Sequence, residues 1–431
     1  SPSVMPDTRK NRLLLVSANR VTNPYPVFPL GVAFLEAALL KAGFAVRIWD
    51  ELIDNFESLA DGLSWASYVG ISLRNADNVS ASSPRSYIND YKKLLAEIRR
   101  LSDKPIIAGG SAFSIFPEEL MEELQLDWGL IGEAEASIVQ WISAMNGNRP
   151  LNQVSGLLYR NDRGAIERVS AVTLSPEAIP SPRPSMQWIQ AYIKRGGMLN
   201  AQTQRGCSLH CTYCTYPWIE GRCYRHRSPR NLVAELRHLQ QAGVRYVFLT
   251  DSVFNTTRNH VEAFCKAIIK ADLRIDWGCF ARPRNLSADL LDLMIEAGLK
   301  HLEFGSDSFC DVTLKSYGKS FRFSDILEAS EVAASRKVHT CHYIIFGGPG
   351  ETEETIRETV SNSKRLPDAP VFAFSGMRIY PHPPLQKEAG SKQSAKELLE
   401  PDYFHLEALP DDRREQIIAE CTRGLANWFL S

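Results

Sequence analysis

Apolar and polar positions alternate along this chain in a regular beat. From residue 13 to about 145 the short apolar runs LLLVS, AVRIWD, YVGISL, PIIAGG and WGLIG are separated by amphipathic stretches over 31–43, 87–101, near 117–124 and from 133. Strand-sized runs spaced by helical periodicity predict parallel strands with crossover helices, an open, doubly wound, Rossmann-like α/β sheet. A ligand site in such a sheet lies at the carboxyl ends of its strands.

The residues with special backbone needs fall at those ends. Ser72, Arg74 and Asn75 close YVGISL, Gly109, Gly110 and Ser111 follow PIIA, and Gly132 and Glu133 follow WGLI. Glycines there let backbone approach a ligand closely, and they equally make tight strand-to-helix turns.

Residues 151–172 read as a hairpin, LLYR and ERVS around NDRG, and the next stretch carries Pro176, Pro180, Pro182 and Pro184. So dense a set of prolines joins neither helix nor sheet interior and marks a linker. Beyond it the alternation resumes, with strands predicted at 199–204, 245–250, 274–280, 299–304, 338–346 and 371–378, and helices at 228–242, 258–271, 287–297, 323–336 and 352–365. Six such units are two short of an eight-stranded barrel, which predicts a partial, open (β/α)6 barrel of TIM type. Four segments follow: a first domain over 1–150, hairpin and linker over 151–195, the barrel over 196–385, and a tail over 386–431 with one amphipathic helix near 411–429.

Bulk properties narrow the class. A chain of 431 residues suits two domains, and 49 Lys+Arg against 50 Asp+Glu leave no basic footprint for nucleic acid or an anionic membrane. The longest apolar runs, such as LLLV and YIIF, are far short of a membrane-spanning helix. The opening SPSVMPDTRKNR has no apolar secretory core, so the expected compartment is the cytoplasm. Thiols stay reduced there, and clustered cysteines hold metals or catalyse rather than form disulfides.

Three of the nine cysteines crowd one loop, RGCSLHCTYC, as Cys207, Cys211 and Cys214, just after the first predicted barrel strand. Three thiolates suit an iron-sulfur cluster, and three rather than four leave one iron open to an exogenous ligand. A structural zinc site would need a fourth ligand, for which His210 and Cys223 stand nearby.

This CxxxCxxC loop, flanked as TQRGCSLHCTYC and RCYRHRSP, resembles the radical S-adenosylmethionine (SAM) superfamily, in its cobalamin-binding branch, and the resemblance runs from about residue 13 to 385. It implies that Cys207, Cys211 and Cys214 hold a 4Fe-4S cluster whose open iron chelates SAM, with Tyr213 near the adenine. LTDSVFN resembles the second-strand motif and implies that Thr250, Asp251 and Ser252 face the methionine amino group, although Asp251 as a helix cap is the plainer alternative. EFGSDS implies contacts from Glu303 and Ser306 to the ribose or carboxylate, and GGPGETEET implies a close approach of Gly348 and Gly350 to the adenosyl group. Arg282 and Tyr380 end strands, as site or as scaffold.

The first domain resembles the branch's cobalamin-binding fold, with one departure: the Asp-x-His-x-x-Gly signature is missing, and no histidine precedes His210. Arg74 then falls near the lower face of cobalt, where a cation cannot ligate, unless it pairs with a neighbouring acid such as Asp77. Ser72, Asn75, Gly109, Gly110, Ser111, Gly132 and Glu133 are the expected contacts to the corrin and its tail. The implied activity is a cobalamin-dependent radical SAM methyltransferase of natural product biosynthesis, moving a methyl group through methylcobalamin to a carbon of a small-molecule or carrier-bound intermediate. A reducing partner such as flavodoxin or ferredoxin is implied with it. Two alternatives stay open: a non-methylating cyclisation, ring contraction or rearrangement, and a radical SAM enzyme that no longer uses cobalamin.

Overall fold

In the computed structural model, which describes residues 11–389 and 393–431, the first apolar run forms β1 (Arg12–Ala18), buried from its second residue onward. The opening of the first predicted domain, residues 1–10, and residues 390–392 of the predicted tail lie outside the described residues. The chain continues through α1 (Leu30–Lys41), β2 (Ala45–Asp50), α2 (Phe56–Trp65), β3 (Tyr68–Leu73), α3 (Ile88–Leu101), β4 (Ile106–Gly109), α4 (Ser111–Ile115), α5 (Pro117–Glu123), β5 (Trp128–Leu130) and α6 (Ser137–Met145). The hairpin follows as β6 (Leu157–Arg160) and β7 (Ile166–Arg168).

These strands make one sheet in the order β2-β1-β3-β4-β5-β6-β7, parallel through β5 and antiparallel at the β6 and β7 edge. The chain leaves β1 in one direction to β2 and in the other to β3, so a crevice opens at the carboxyl ends of β1 and β3, where ligands of doubly wound sheets bind. No helix is expected at α2 from the sequence. Packing explains its Gly62: a Cβ there would lie 3.0 Å from Leu14 Cδ1 of β1, while Asn55 caps the helix by accepting from Ser58 N at 2.9 Å.

The proline-rich stretch runs into α7 (Met186–Lys194), also unanticipated. Its Trp188 Nε1 and Tyr192 hydroxyl donate to Asp50 Oδ2 at the end of β2, at 3.0 and 2.7 Å. That carboxylate is buried, and burial raises its pKa despite these donors. One compact unit comprises the described residues up to Asp77 with Ser86–Leu199, and the other comprises Asn78–Arg85 with the residues from Asn200 onward.

The second unit contains β8 (Asn200–Ala201), β9 (Gln204–Arg205), α8 (Tyr216–Glu220), β10 (Arg225–His226), α9 (Pro229–Gln241), β11 (Tyr246–Leu249), α10 (Arg258–Lys270), β12 (Asp276–Ala281), α11 (Ala288–Glu296) and β13 (Leu299–Asp307). It ends with α12 (Asp311–Ser316), α13 (Phe323–Ser335), β14 (His339–Phe346), α14 (Glu353–Ser363), β15 (Val371–Ser375), α15 (Pro384–Glu388), α16 (Asp411–Thr422) and β16 (Trp428–Leu430). Its large sheet runs β8-β11-β12-β13-β14-β15-β16, parallel throughout and in chain order, as a partial barrel requires.

Two predicted elements change. The strand expected over 199–204 splits into β8 and β9, because Thr203 N donates to the Asp251 carboxylate at 2.6 Å instead of joining the ladder. The helix expected over 411–429 stops at Thr422. Gly424, at φ 79°, turns the chain, and β16 adds a seventh strand beside β15. Its Trp428 packs with Ile344, Phe346, Ile356 and Ile417 in the core beneath that edge. Among the described residues no helix is long and apolar enough to cross a membrane.

Candidate active site

The cysteine loop leaves β9 through Gly206, whose φ of 90° and confinement exclude a side chain: a Cβ would lie 2.0 Å from Cys223 O. Gly206 N donates to Glu220 Oε2 at 3.0 Å, Cys207 N to Gly221 O at 3.0 Å, and Ser252 Oγ to Gly206 O at 3.3 Å. The loop is thus tied at its start to the end of α8 and to the turn after β11. All nine cysteines are free thiols.

Cys207, Cys211 and Cys214 line one cavity of about 210 Å³. Its other walls include Tyr213, Ser252, Phe280, Arg282, Gly305, Lys319 and Phe321, drawn from loops and strand ends of the second sheet. Burial pushes the Cys214 thiol up to about 12 and raises Cys211 as well, despite the nearby Lys319 ammonium. Metal binding here therefore releases protons.

Lys319 is the charged centre of the wall. Its Nζ lies 3.5 Å from Cys211 Sγ and 2.5 Å from Asp307 Oδ2, which also accepts from the Tyr213 hydroxyl at 2.5 Å. Both side chains are almost fully buried. Burial disfavours the ammonium, but Asp307 and Cys211 outweigh it and hold Lys319 above the usual lysine range. Arg282 offers a second cation. Its backbone is clamped by Asn255, with Arg282 N donating to Oδ1 at 2.8 Å, while its own Nε is buried without a partner. An orphaned donor on the wall of a three-thiol cavity fits an anionic ligand group seated beside a metal cluster.

Residues 202–362, from just before the cysteine loop through most of α14, match the Radical SAM superfamily. That stretch carries a radical SAM domain. It is 27% identical to a tryptophan 2-C-methyltransferase of Streptomyces laurentii, over 88% of this chain and 74% of the relative. It is 25% identical to a cytidylyl-2-hydroxyethylphosphonate methyltransferase of Streptomyces wedmorensis, over 82% and 76%. The solved structure of the radical SAM methyltransferase TsrM from Kitasatospora setae, with tryptophan substrate and a SAM analogue bound, matches at a TM-score of 0.81 and 26% identity, over 88% of this chain and 76% of that one.

Around this domain's cavity the predicted motif residues separate by the face they occupy. Ser252 lines the cavity, but Thr250 Oγ1 donates to Ala201 O at 3.2 Å. Asp251 is wholly buried and takes bonds from Thr203 N, Thr203 Oγ1 and Gln204 N. It neither caps α10, where Thr257 accepts from His260 N, nor lines the cavity. Burial lifts its pKa to about 7. Along β13 alternate residues point to opposite faces. Gly305 faces the cavity, whereas Ser306 sits on the helix-facing side, its Oγ 2.9 Å from His342 Nδ1. Glu303 shares the Gly305 face two residues before it, bonded to His301 and to the Tyr343 hydroxyl.

The glycines of GGPGE meet protein. A Cβ on Gly348 would lie 2.4 Å from Tyr317 and 2.6 Å from Met377, and Gly350, at φ 76°, packs by Ser316. Glu351 accepts from Gly347 N, and burial raises it to about 8 although that bond and Arg414 pull it down. Arg414 of α16 in turn donates to Ser375 Oγ at 2.9 Å, so the tail braces this loop.

In the first unit, Ser72 pairs in register with Ser17 and Gly109, and Arg74 follows β3 beside the crevice, close enough for its charge to act on Tyr91 and Tyr192. The Asn75 peptide is held at both ends by the Tyr91 hydroxyl, at 3.2 and 2.5 Å. Gly110 adopts φ 99° with Leu73 O only 2.5 Å from where a Cβ would be, and Ser111 begins α4. Gly132 N donates to Ser114 Oγ at 2.9 Å. Glu133 receives Leu174 N of the linker at 2.7 Å, so it fastens chain to chain.

Sequence reasoning missed Lys319 and Asp307. Asp307 stands inside the quoted EFGSDS, two residues after the cavity-lining Gly305 on the same strand, and that alternation is the signal that could have found it.

Proposed function

We propose that this chain is a cobalamin-dependent radical SAM C-methyltransferase acting on a small molecule. The observation that carries the reading is the cavity in which Cys207, Cys211 and Cys214 meet the unpartnered Arg282 Nε and the buried Lys319. The three cysteines would hold a 4Fe-4S cluster, which would supply the electron for SAM cleavage, and cobalamin would supply the methyl carrier.

The residues around that chemistry have separable tasks. Arg282, its buried Nε without a protein partner, would donate to the SAM carboxylate in a charge-assisted bond. Tyr213, Phe280 and Phe321 wall the cavity with rings and keep water from the reacting carbon. Lys319 balances the thiolate charge of the loaded loop while Asp307 and Tyr213 hold it in place. In the first unit, the turns at Ser72 to Asn75, Gly109 to Ser111 and Gly132 would hold the corrin, and Arg74 would offer cobalt no lone pair. A low-potential donor of the flavodoxin or ferredoxin class supplies the electron.

Similarity to a tryptophan 2-C-methyltransferase along most of both chains favours an aromatic heterocycle as substrate. The test is anaerobic turnover of the reconstituted protein with SAM, dithionite and tryptophan. Methylated product with S-adenosylhomocysteine supports the reading. 5'-Deoxyadenosine without any methylated product would turn it toward non-methylating radical chemistry.

A further inference from the structure

The inner face of the second sheet carries a group of ligating atoms that the SAM cavity does not use. His301 Nε2 lies 3.2 Å from Glu303 Oε1 and 3.9 Å from Cys341 Sγ, and the three atoms all fall within 4.8 Å of one another. Register brings them together: Glu303 and Cys341 are direct partners across β13 and β14, and His301 precedes Glu303 by two on the same face. An ion bound at about 2.0–2.3 Å to nitrogen, oxygen and sulfur in tetrahedral geometry spaces its ligands by about 3.3–3.6 Å, so small side-chain shifts suffice.

The surrounding contacts are those that support metal ligands. His301 Nδ1 lies 2.7 Å from His339 Nδ1, and with His301 as the donor in that bond its Nε2 carries the lone pair an ion needs. The Tyr343 hydroxyl donates to Glu303 Oε2 at 3.1 Å, orienting the carboxylate and leaving Oε1 for the ion. Cys341 is buried, while the His301 side chain keeps 20% exposure, so the group has a protein-lined side and a route in. The group sits toward the amino-terminal ends of β13 and β14, whereas Gly305, farther along β13, lines the cysteine cavity.

We propose that His301, Glu303 and Cys341 form a second metal site, which takes a single zinc ion with water as fourth ligand. One thiolate, one imidazole and one carboxylate match zinc better than magnesium or calcium, which prefer oxygen throughout. The competing arrangement is a plain hydrogen bond from His301 Nε2 to Glu303.

The test uses full-length protein reconstituted with iron and sulfide, so that the cysteine loop is filled, then equilibrated with Zn2+ and desalted. Zinc content and zinc-edge X-ray absorption are read together. About one zinc per chain with a single sulfur neighbour at about 2.3 Å is expected. Cys341→Ser should remove the sulfur neighbour, and His339→Gln should weaken zinc binding about 10- to 100-fold while circular dichroism and iron content stay unchanged. No retained zinc, a three-sulfur shell that would place the ion in the cysteine loop, or a spectrum indifferent to Cys341→Ser each overturns the assignment.

Discussion

Both units are built on a seven-stranded sheet, yet the two make their sites in different ways. In the first, strand order reverses at β1, so topology places the proposed corrin crevice at the strand ends, and the residues proposed for it lie in the turns there: Ser72 to Asn75, and Gly110 at φ 99°. In the second, strand order never reverses. The site depends instead on what curls over the strand ends, and it is lined by buried thiols and paired charges. A reversal site tolerates change in its side chains so long as the turns keep their shape. A loop-built site depends on each ionic partner, because an unpaired charge in a dry cavity is costly.

That contrast is broken most severely by Cys211→Ala. Iron content should fall from about four per chain to near zero while cobalt binding persists. Loss of both metals together would mean that the two sheets do not hold their cofactors independently.

Lys319→Met comes next. It strands the Asp307 carboxylate and should cost about 3–5 kcal/mol in urea denaturation, whereas Lys319→Met with Asp307→Leu should recover most of that. If the double change is no better than the single one, Lys319 acts through packing and not through its charge.

Asp251→Asn sharpens the comparison through pH. Burial lifts Asp251 from 3.8 to about 7, so the folded state favours the neutral acid. The stability this contributes is full below pH 3.8 and is lost as pH rises through 7. The wild type should therefore weaken between about pH 4 and 7, by roughly 4 kcal/mol on the linkage scale, and the amide should flatten that slope. Parallel pH profiles would remove Asp251 from the account.

The smallest effect is expected at the reversal site. Arg74→Ala should change cobalamin affinity only a few-fold and leave iron untouched, because a residue that does not ligate cobalt contributes position and not a bond. Gly110→Ala, which strains the turn itself, should reduce cobalt retention more than Arg74→Ala does.

Much of this architecture was legible because strands and helices announce themselves locally. AVRIWD and YVGISL coincide with β2 and β3, and the cysteine spacing pointed to the cavity that all three thiols share. What stayed hidden was set by distant partners. Gly62 sits on the buried side of α2, where a Cβ would crowd Leu14, and α7 follows so many prolines that only its bonds to Asp50 explain its place. β16 exists because β15 offers an open edge. Lys319 lies 108 residues from Cys211 in the chain, so no local spacing could join them. Ser306 and Gly305 are neighbours in one motif, and only the pleat separates helix face from cavity face.

The most direct measurement is metal content after anaerobic reconstitution with iron, sulfide and hydroxocobalamin, followed by desalting. About four irons and one cobalt per chain are predicted, the first lost in Cys211→Ala and the second kept. Iron without cobalt would contradict the claim that the reversal in the first sheet is a corrinoid site, and with it the methyl-transfer reading built on both.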